Sequence, residues 1–179
     1  MTEVLLTSET FVKSVTSISE NMAGRFLRPS MLEAQEQGLR GIVGDAMMSK
    51  LKALVSDGSI ADDGSRMYKE LLDRAQYYLA YSSVAECAMK ASYKTGNFGV
   101  GKSSDENLQL ATQDEIAKQR YYYQAKADGC CLRLQRWLLD NRGSFPELDE
   151  GCCGRMESNL MSAATCGIWL GGPRGRRLP

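Results

Sequence analysis

The chain has 179 residues, which suits one domain of ordinary size with extensions, and its composition is that of a globular protein. Its 22 basic and 22 acidic residues give a formal net charge of zero, which argues against binding of nucleic acid or anionic lipid through overall charge. No apolar run approaches the roughly 20 residues of a membrane span, and the first residues lack a basic segment followed by an apolar one. We therefore expect a cytosolic product with no membrane partner.

Residue types that support catalysis or metal binding are scarce. The chain has no histidine, the commonest general base and a frequent zinc ligand. Its cysteines include two adjacent pairs but no Cys-x-x-Cys pair, so we expect reduced thiols in the core and the tail. They are Cys87, Cys130, Cys131, Cys152, Cys153 and Cys166. The sequence therefore predicts no catalytic residue, no metal site and no cofactor, and we expect that the protein is not an enzyme.

The first segment in chain order permits two interpretations. Residues 4–27 combine apolar residues at helical spacing with a run rich in β-branched and hydroxyl residues, which suits an extended arm. We expect an N-terminal arm over residues 1–27. Ser30 and Glu33 then form a capping-box pattern directly after Pro29, which predicts that the first clear helix starts there.

Two short helices and two long ones are predicted after this arm. The last helix starts with a second capping-box pattern, Thr112 and Glu115, and carries seam residues at alternating spacings of three and four. The expected helices are 30–43, 45–55, 63–91 and 112–141. The expected seam residues of the last helix are Ile116, Arg120, Tyr123, Ala127, Cys130, Leu134, Trp137 and Leu138. Because a glycine-rich link joins the long helices, they should pack antiparallel.

Tyrosines are concentrated on the two long helices. We expect the cluster Tyr77, Tyr78 and Tyr81 to be buried between them. Three consecutive tyrosines, Tyr121–Tyr123, spread around a helix, so at least one must point to a neighbour or to solvent. Such aromatic residues could also stack on the bases of single-stranded nucleic acid, but their spacing favours a core role together with a subunit contact.

Residues 96–103 read GNFGVGKS and match the phosphate-binding pattern Gly-x-x-x-x-Gly-Lys-[Ser/Thr]. A phosphate loop follows a buried strand and opens a helix, whereas this segment follows a predicted helix and precedes polar residues. We therefore predict a glycine-rich loop or a β-hairpin between the long helices. Its candidate channel or subunit-contact residues are Asn97, Phe98, Val100 and Lys102.

The C-terminal end combines an apolar stretch with a basic one. Residues 164–170 have β propensity, and from Gly151 onward four arginines stand against a single acid, Glu157. This pattern suits a segment that adds to a partner, although it also permits a strand that folds back on its own domain. The candidate neighbour-binding residues are Ile168, Trp169, Leu170, Arg174, Arg176 and Arg177.

Together these patterns predict an all-α fold: a helical bundle of two short and two long antiparallel helices with extended terminal arms. The expected domains are an N-terminal arm (1–27), a helical domain (28–145) and a C-terminal extension (146–179). The arrangement of short motifs resembles the small head-to-tail connector proteins of tailed phages and prophages of gut Bacteroidales. The resemblance rests on residues 26–35, 39–45, 51–58, 68–72, 77–81, 94–100 and 167–172.

This resemblance implies a structural virion protein. Connectors of this type form an oligomeric ring of about twelve subunits between the portal and the tail, with DNA passing through the lumen. The implied partners are further copies of the chain, a portal protein, a tail or second adaptor protein, and packaged double-stranded DNA in non-specific proximity. The implied location is the neck of the virion, after assembly in the host cytoplasm.

Two other functions are consistent with parts of the sequence. The first is a P-loop nucleotide-binding protein, which would use Gly96–Ser103 and would require a strand before Gly96. The second is a small helical regulatory or nucleic-acid-binding module, for which we expect a monomer or dimer with an exposed basic helix.

Overall fold

The computed structural model describes residues 3–19, 22, 24–96, 99–102 and 112–148, and its elements form a helical bundle. The α-helices are α1 (Glu9–Val15), α2 (Gly24–Glu33), α3 (Arg40–Val43), α4 (Asp45–Ser56), α5 (Arg66–Ser92) and α6 (Gln113–Asp140). A π-helical segment covers Ala34–Leu39, and 3₁₀ turns cover Ser59–Ala61, Asp63–Ser65, Arg142–Ser144 and Pro146–Leu148. Two short strands are β1 (Tyr93–Gly96) and β2 (Gly99–Lys102). The prediction of an all-α bundle is confirmed.

The two long helices α5 and α6 pack along each other and run antiparallel. Early residues of α5 meet late residues of α6, since the guanidinium of Arg74 lies 4.9 Å from the ring centroid of Trp137. Near the other end, an oxygen of Glu86 on α5 lies 3.6 Å from a nitrogen of Arg120 on α6. The predicted capping box at the start of α6 is confirmed: the Thr112 hydroxyl accepts from the Glu115 N–H, and the Glu115 carboxylate accepts from the Thr112 N–H.

The prediction that a helix begins at Ser30 behind Pro29 is wrong. Helix α2 starts at Gly24 and contains Pro29, and the chain continues through the π-helical segment into α3 without a break. The Ser30 hydroxyl donates to the Phe26 carbonyl, and Glu33 pairs with Lys90 of α5. Packing of the helix against α5 outweighs the one backbone hydrogen bond that proline removes.

The described N-terminal residues 3–19 differ from the expected extended arm. They contain α1, which the Ser8 hydroxyl caps, and they pack against the bundle. The Gln35 side chain in the π-helical segment fastens them, because its amide oxygen accepts from the Leu6 N–H at 2.9 Å and its NH₂ group donates to the Val4 carbonyl at 3.0 Å. Burial of Leu6 and Val12, which are 2% and 0% exposed, supplies the hydrophobic stabilisation that an arm would lack.

Buried residues form two clusters along α5. The main core combines α3, α4, the first half of α5 and the second half of α6 with Phe145 and Leu148. The N-terminal core combines α1, α2 and the second half of α5 with Tyr123. The expected burial of Tyr78 is confirmed, whereas Tyr77 is 48% exposed, because Tyr77 lies at the edge of α5 where its ring meets Phe11.

Between α5 and α6 the described backbone forms two antiparallel strands. Tyr93 lies opposite Lys102, and Gly96 lies opposite Gly99. These strands lie in the segment for which the sequence predicted either a glycine-rich loop or a β-hairpin.

Candidate functional site

Helix α6 is covered on only one side by the described chain. Its inner residues Tyr123, Ala127, Cys130, Leu134 and Leu138 are buried at spacings of three and four, against α5. The first two predicted seam residues behave differently, since Ile116 is half-buried and Arg120 is exposed. The predicted seam is therefore confirmed for the second half of α6 and fails for its first turns, because the described chain does not cover them.

The opposite side of α6 carries an apolar stripe that faces solvent. Its members share a spacing of four, four and seven residues, which places them on one face about 180° from the buried residues. We define the outer stripe as Ala117, Tyr121, Ala125 and Leu132, all exposed. Tyr121 is 77% exposed, although a tyrosine ring offers a large apolar area. Among the described residues, three of the four exposed large hydrophobic side chains (Tyr121, Tyr122 and Leu132) lie on this helix.

A line of cations runs along one flank of the same helix. We define the cationic row as Lys118, Lys126, Arg133 and Arg136, all of which are exposed. Their spacings of eight, seven and three residues keep them on one side of α6. Within the described ranges, no carboxylate oxygen lies within 4.0 Å of a side-chain nitrogen in this row.

Two tyrosine rings contact Lys126, which lies in the middle of the cationic row. The Lys126 ammonium lies 4.5 Å from the ring centroid of Tyr122 and 5.4 Å from that of Tyr81. The hydrogen bond with Tyr122 raises the pKa of Lys126 above its ordinary value. A positive charge over the negative face of a ring is attracted to it, so this ammonium is positioned and permanently charged at neutral pH.

A cleft lies beside the cationic row between α5 and α6. Its volume is about 440 Å³, and its lining is Glu70, Asp73, Arg74, Tyr77, Cys130, Arg133 and Leu134. Arg74 is already engaged, because its guanidinium pairs with Glu70 at 2.7 Å and lies over Trp137. The cleft thus presents both signs of charge around an exposed tyrosine ring.

The described residues of the Gly96–Ser103 segment, Gly96 and 99–102, do not have the geometry of a phosphate loop. A strand does precede Gly96, but β1 pairs antiparallel with β2, which itself contains Gly101 and Lys102. In a phosphate loop these last residues would wrap the anion and open a helix, whereas here their backbone runs in a two-stranded ladder. This arrangement argues against nucleotide binding.

The residues that the sequence singled out are only partly within the described structure. Val100 and Lys102 lie in β2, while Asn97 and Phe98 lie outside the described residues. All six neighbour-binding candidates also lie outside them, namely Ile168, Trp169, Leu170, Arg174, Arg176 and Arg177.

Cysteines of the described residues are free thiols. Cys87 and Cys130 are buried and Cys131 is half-buried, and burial raises the pKa of both Cys87 and Cys131. No cluster of three or more potential metal ligands occurs in the described ranges. No helix of these ranges is both long enough and apolar enough to span a membrane.

Sequence reasoning missed both the outer stripe and the cationic row. Their spacing was present in the sequence, and once Tyr123 and Leu134 are known to face inward, the remaining faces of α6 follow from 100° per residue. What the sequence did not supply was that no element of the described chain covers this face, since a second apolar line on a helix is equally consistent with a fully buried position.

Comparisons with known proteins identify one family. The model described as "Family of unknown function (DUF6712)" matches residues 39–157, a range that contains α3, α4, α5, β1, β2 and α6. No curated protein and no solved structure matches the chain.

Proposed function

We propose that this chain, which belongs to the DUF6712 family of unknown function, is a structural virion protein that forms a head-to-tail connector ring. The ring has about twelve subunits, sits between portal and tail, and lets DNA pass through its lumen. The chain acts by binding neighbours and performs no catalysis. Its location is the neck of a phage particle, after assembly in the host cytoplasm.

The observation that carries this proposal is the outer stripe of α6, which the described residues leave uncovered. A monomeric protein rarely leaves large apolar side chains in a line along a helix that is 28 residues long, because water contact with them is unfavourable. A second copy that packs on Tyr121 and Leu132 would remove them from water. The small side chains of Ala117 and Ala125 between them allow a partner to approach closely.

A closed ring needs a second, different surface on each subunit, since head-to-tail contacts are heterologous. We assign this role to the C-terminal extension, where Ile168, Trp169 and Leu170 are apolar anchors. Arg174, Arg176 and Arg177 would then meet acidic surface of the portal or an adaptor. Aromatic anchors next to charged residues are typical of binding hot spots.

The glycine-rich segment between the long helices is a third contact in this proposal, after the outer stripe and the C-terminal extension. Asn97, Phe98, Val100 and Lys102 would lie at the channel or at a subunit boundary. Because β1 and β2 extend directly from the end of α5, each subunit presents this segment at one end of its long helices.

The mass of the assembly tests the proposal. Native mass spectrometry and light scattering at high protein concentration should give a discrete ring of about twelve subunits for the unmodified chain. The double substitution Tyr121→Ser and Leu132→Ser should reduce the mass toward that of the monomer. Deletion of residues 164–179 should have the same effect if this segment contacts the neighbouring copy.

The matched control is Tyr122→Ser, because Tyr122 is the adjacent exposed tyrosine but lies on the flank of α6. This variant should keep the ring. A chain that remains monomeric at high concentration, both alone and when mixed with a portal protein, would contradict the proposal and favour a small helical regulatory module.

A further inference from the structure

We infer that the cationic row of α6 binds the phosphate backbone of DNA, independently of base sequence. The inference concerns a different side of α6 from the outer stripe. It does not require the ring, because every residue that carries it belongs to one chain.

The first step is the unsatisfied charge of the row. Arg120 and Arg74 have carboxylate partners at 3.6 and 2.7 Å, whereas no carboxylate of the described ranges pairs with Lys118, Lys126 or Arg136. An acid does stand at each end of this side of α6, Glu115 and Asp140. Glu115 is engaged in the capping box, where the backbone N–H of Thr112 lowers its pKa.

The second step is the shape of the row. Lys118 and Arg136 are 18 residues apart, which is about 27 Å along a straight helix. A duplex carries one phosphate charge per roughly 1.7 Å of its axis, so an extended line of cations meets phosphates along its whole length. A compact anion would reach only one or two of these side chains.

The third step concerns the other candidate, an acidic surface on a second copy. Exposed acids of the described chain that are close in sequence form short groups, with Asp57, Asp62 and Asp63 between α4 and α5, and Asp114 and Glu115 at the start of α6. Each group is short compared with the row, so either one would neutralise only part of it. The phosphate backbone therefore fits the charge pattern better than a second copy does.

The fourth step is the chemistry of the interleaved tyrosines. Tyr122 lies in the row and Tyr77 lines the adjacent cleft, and the two are 52% and 48% exposed. A phenol hydroxyl can donate to a phosphate oxygen, whereas base recognition requires side chains that enter a groove. The row thus provides positioning without sequence readout, and such binding permits sliding along DNA.

Binding to a fluorescent duplex of 30 base pairs, followed by anisotropy between about 50 and 200 mM salt, tests the inference. The slope of log K against log salt should be about −3 to −4 if the four cations contact phosphates. The triple substitution Lys118→Gln, Lys126→Gln and Arg136→Gln should weaken binding about tenfold or more at 50 mM salt and bring the slope near −1. It spares Arg133, whose guanidinium donates to the Cys130 sulfur at 3.1 Å.

Two variants with the same loss of three charges are the controls. The first, Arg28→Gln, Arg66→Gln and Lys69→Gln, removes exposed cations from other faces. The second, Arg174→Gln, Arg176→Gln and Arg177→Gln, removes three arginines near the C-terminal end of the sequence. Both should bind the duplex as the unmodified chain does. A C-terminal variant that loses binding while the row variant keeps it would overturn the inference, as would the absence of salt-dependent binding at 50 mM.

Light scattering on the same samples separates this inference from the connector proposal. A monomer that binds DNA through the row upholds the inference and contradicts the ring. If the row variant changes the mass of the assembly and leaves DNA binding unchanged, the row is a contact between copies and the inference is wrong. Equal affinity for single-stranded and duplex DNA supports backbone contact, whereas binding of single strands alone would overturn the assignment to duplex DNA.

Discussion

Helices α5 and α6 have nearly equal lengths, 27 and 28 residues, but the described chain surrounds one and leaves the other open. Helix α5 packs against α1, α2, the π-helical segment and α6, whereas α6 packs mainly against α5. Their sequences differ accordingly. Between Arg74 and Lys90, α5 carries no cation, whereas successive cations of α6, from Lys118 to Arg136, are at most seven residues apart. The distribution of charged residues along these two helices thus indicates how far other elements surround each helix better than the spacing of their apolar residues does.

The largest expected effect comes from truncating one leucine on each helix. Leu79→Ala on α5 should lower the free energy of unfolding by about 3 kcal/mol, because Leu79 is fully buried and leaves a cavity. Leu132→Ala on α6 should change it by less than about 0.5 kcal/mol at low protein concentration. Urea unfolding of both variants measures the difference. Similar losses for the two would mean that the outer stripe is covered within one chain, and the contrast between the helices would disappear.

A smaller effect is expected where the π-helical segment touches α5. A Cβ added at Gly38 would lie 2.2 Å from the Tyr78 hydroxyl oxygen, so Gly38→Ala should destabilise the protein by about 1–3 kcal/mol. Gly41→Ala is the matched control, because nothing lies within 4 Å of its added Cβ, and it should stabilise by up to about 1 kcal/mol. Thermal and urea unfolding compare the two.

Removing the Tyr78 hydroxyl group from the Gly38→Ala variant makes this test more specific. Tyr78→Phe combined with Gly38→Ala should recover part of the loss, since the atom nearest to the new methyl group is gone. If Gly38→Ala alone is as harmless as Gly41→Ala, the close approach of α5 to this segment is absent in solution.

The smallest effect is a pH dependence at the start of α5. The pKa of Tyr68 is raised to about 12 by burial and by Glu147, whose carboxylate accepts from the Tyr68 hydroxyl at 2.9 Å. The ordinary pKa is 10.0, so the folded protein keeps this proton between pH 10 and 12 while the unfolded chain loses it. Stability from this contact is therefore fully present below pH 10 and decreases as the pH rises toward 12.

The variant Tyr68→Phe should flatten that alkaline decline, as measured by urea unfolding between pH 9 and 11.5. An unchanged decline would show that the 3₁₀ turn containing Glu147 is not docked on α5 in solution. Because the contact is largely accessible to solvent, we expect only a small fraction of the total stability to depend on it.

The long elements of the fold could be predicted from sequence because their signals agree. The Thr112–Glu115 capping box, the three-and-four spacing from Tyr123 to Leu138 and the Gly44 break between α3 and α4 each point to the observed structure. Local hydrogen bonding and apolar period are sufficient there, since both act within a few residues.

Other features depended on tertiary contacts that local patterns do not contain. Pro29 predicted a helix start, but burial of Leu27 and Met31 against α5 keeps the helix intact on both sides of it. The attachment of the N-terminal residues relies on Gln35, whose hydrogen bonds reach Leu6 and Val4, about 30 positions away. In the candidate site, the sequence indicates which side chains share a face of α6. It does not indicate which of these faces the described chain leaves uncovered.

The π-helical segment Ala34–Leu39 changes the direction in which the residues after it point around the helix axis, relative to the residues before it. In an uninterrupted α-helix, Leu39 would lie about 120° and Val43 about 160° around the axis from Leu27. The wider π-helical turn reduces that rotation by about 100°. Leu27, Leu39 and Val43, which are all at most 1% exposed, can therefore face the same neighbour, so one continuous helical run of twenty residues contributes to both cores.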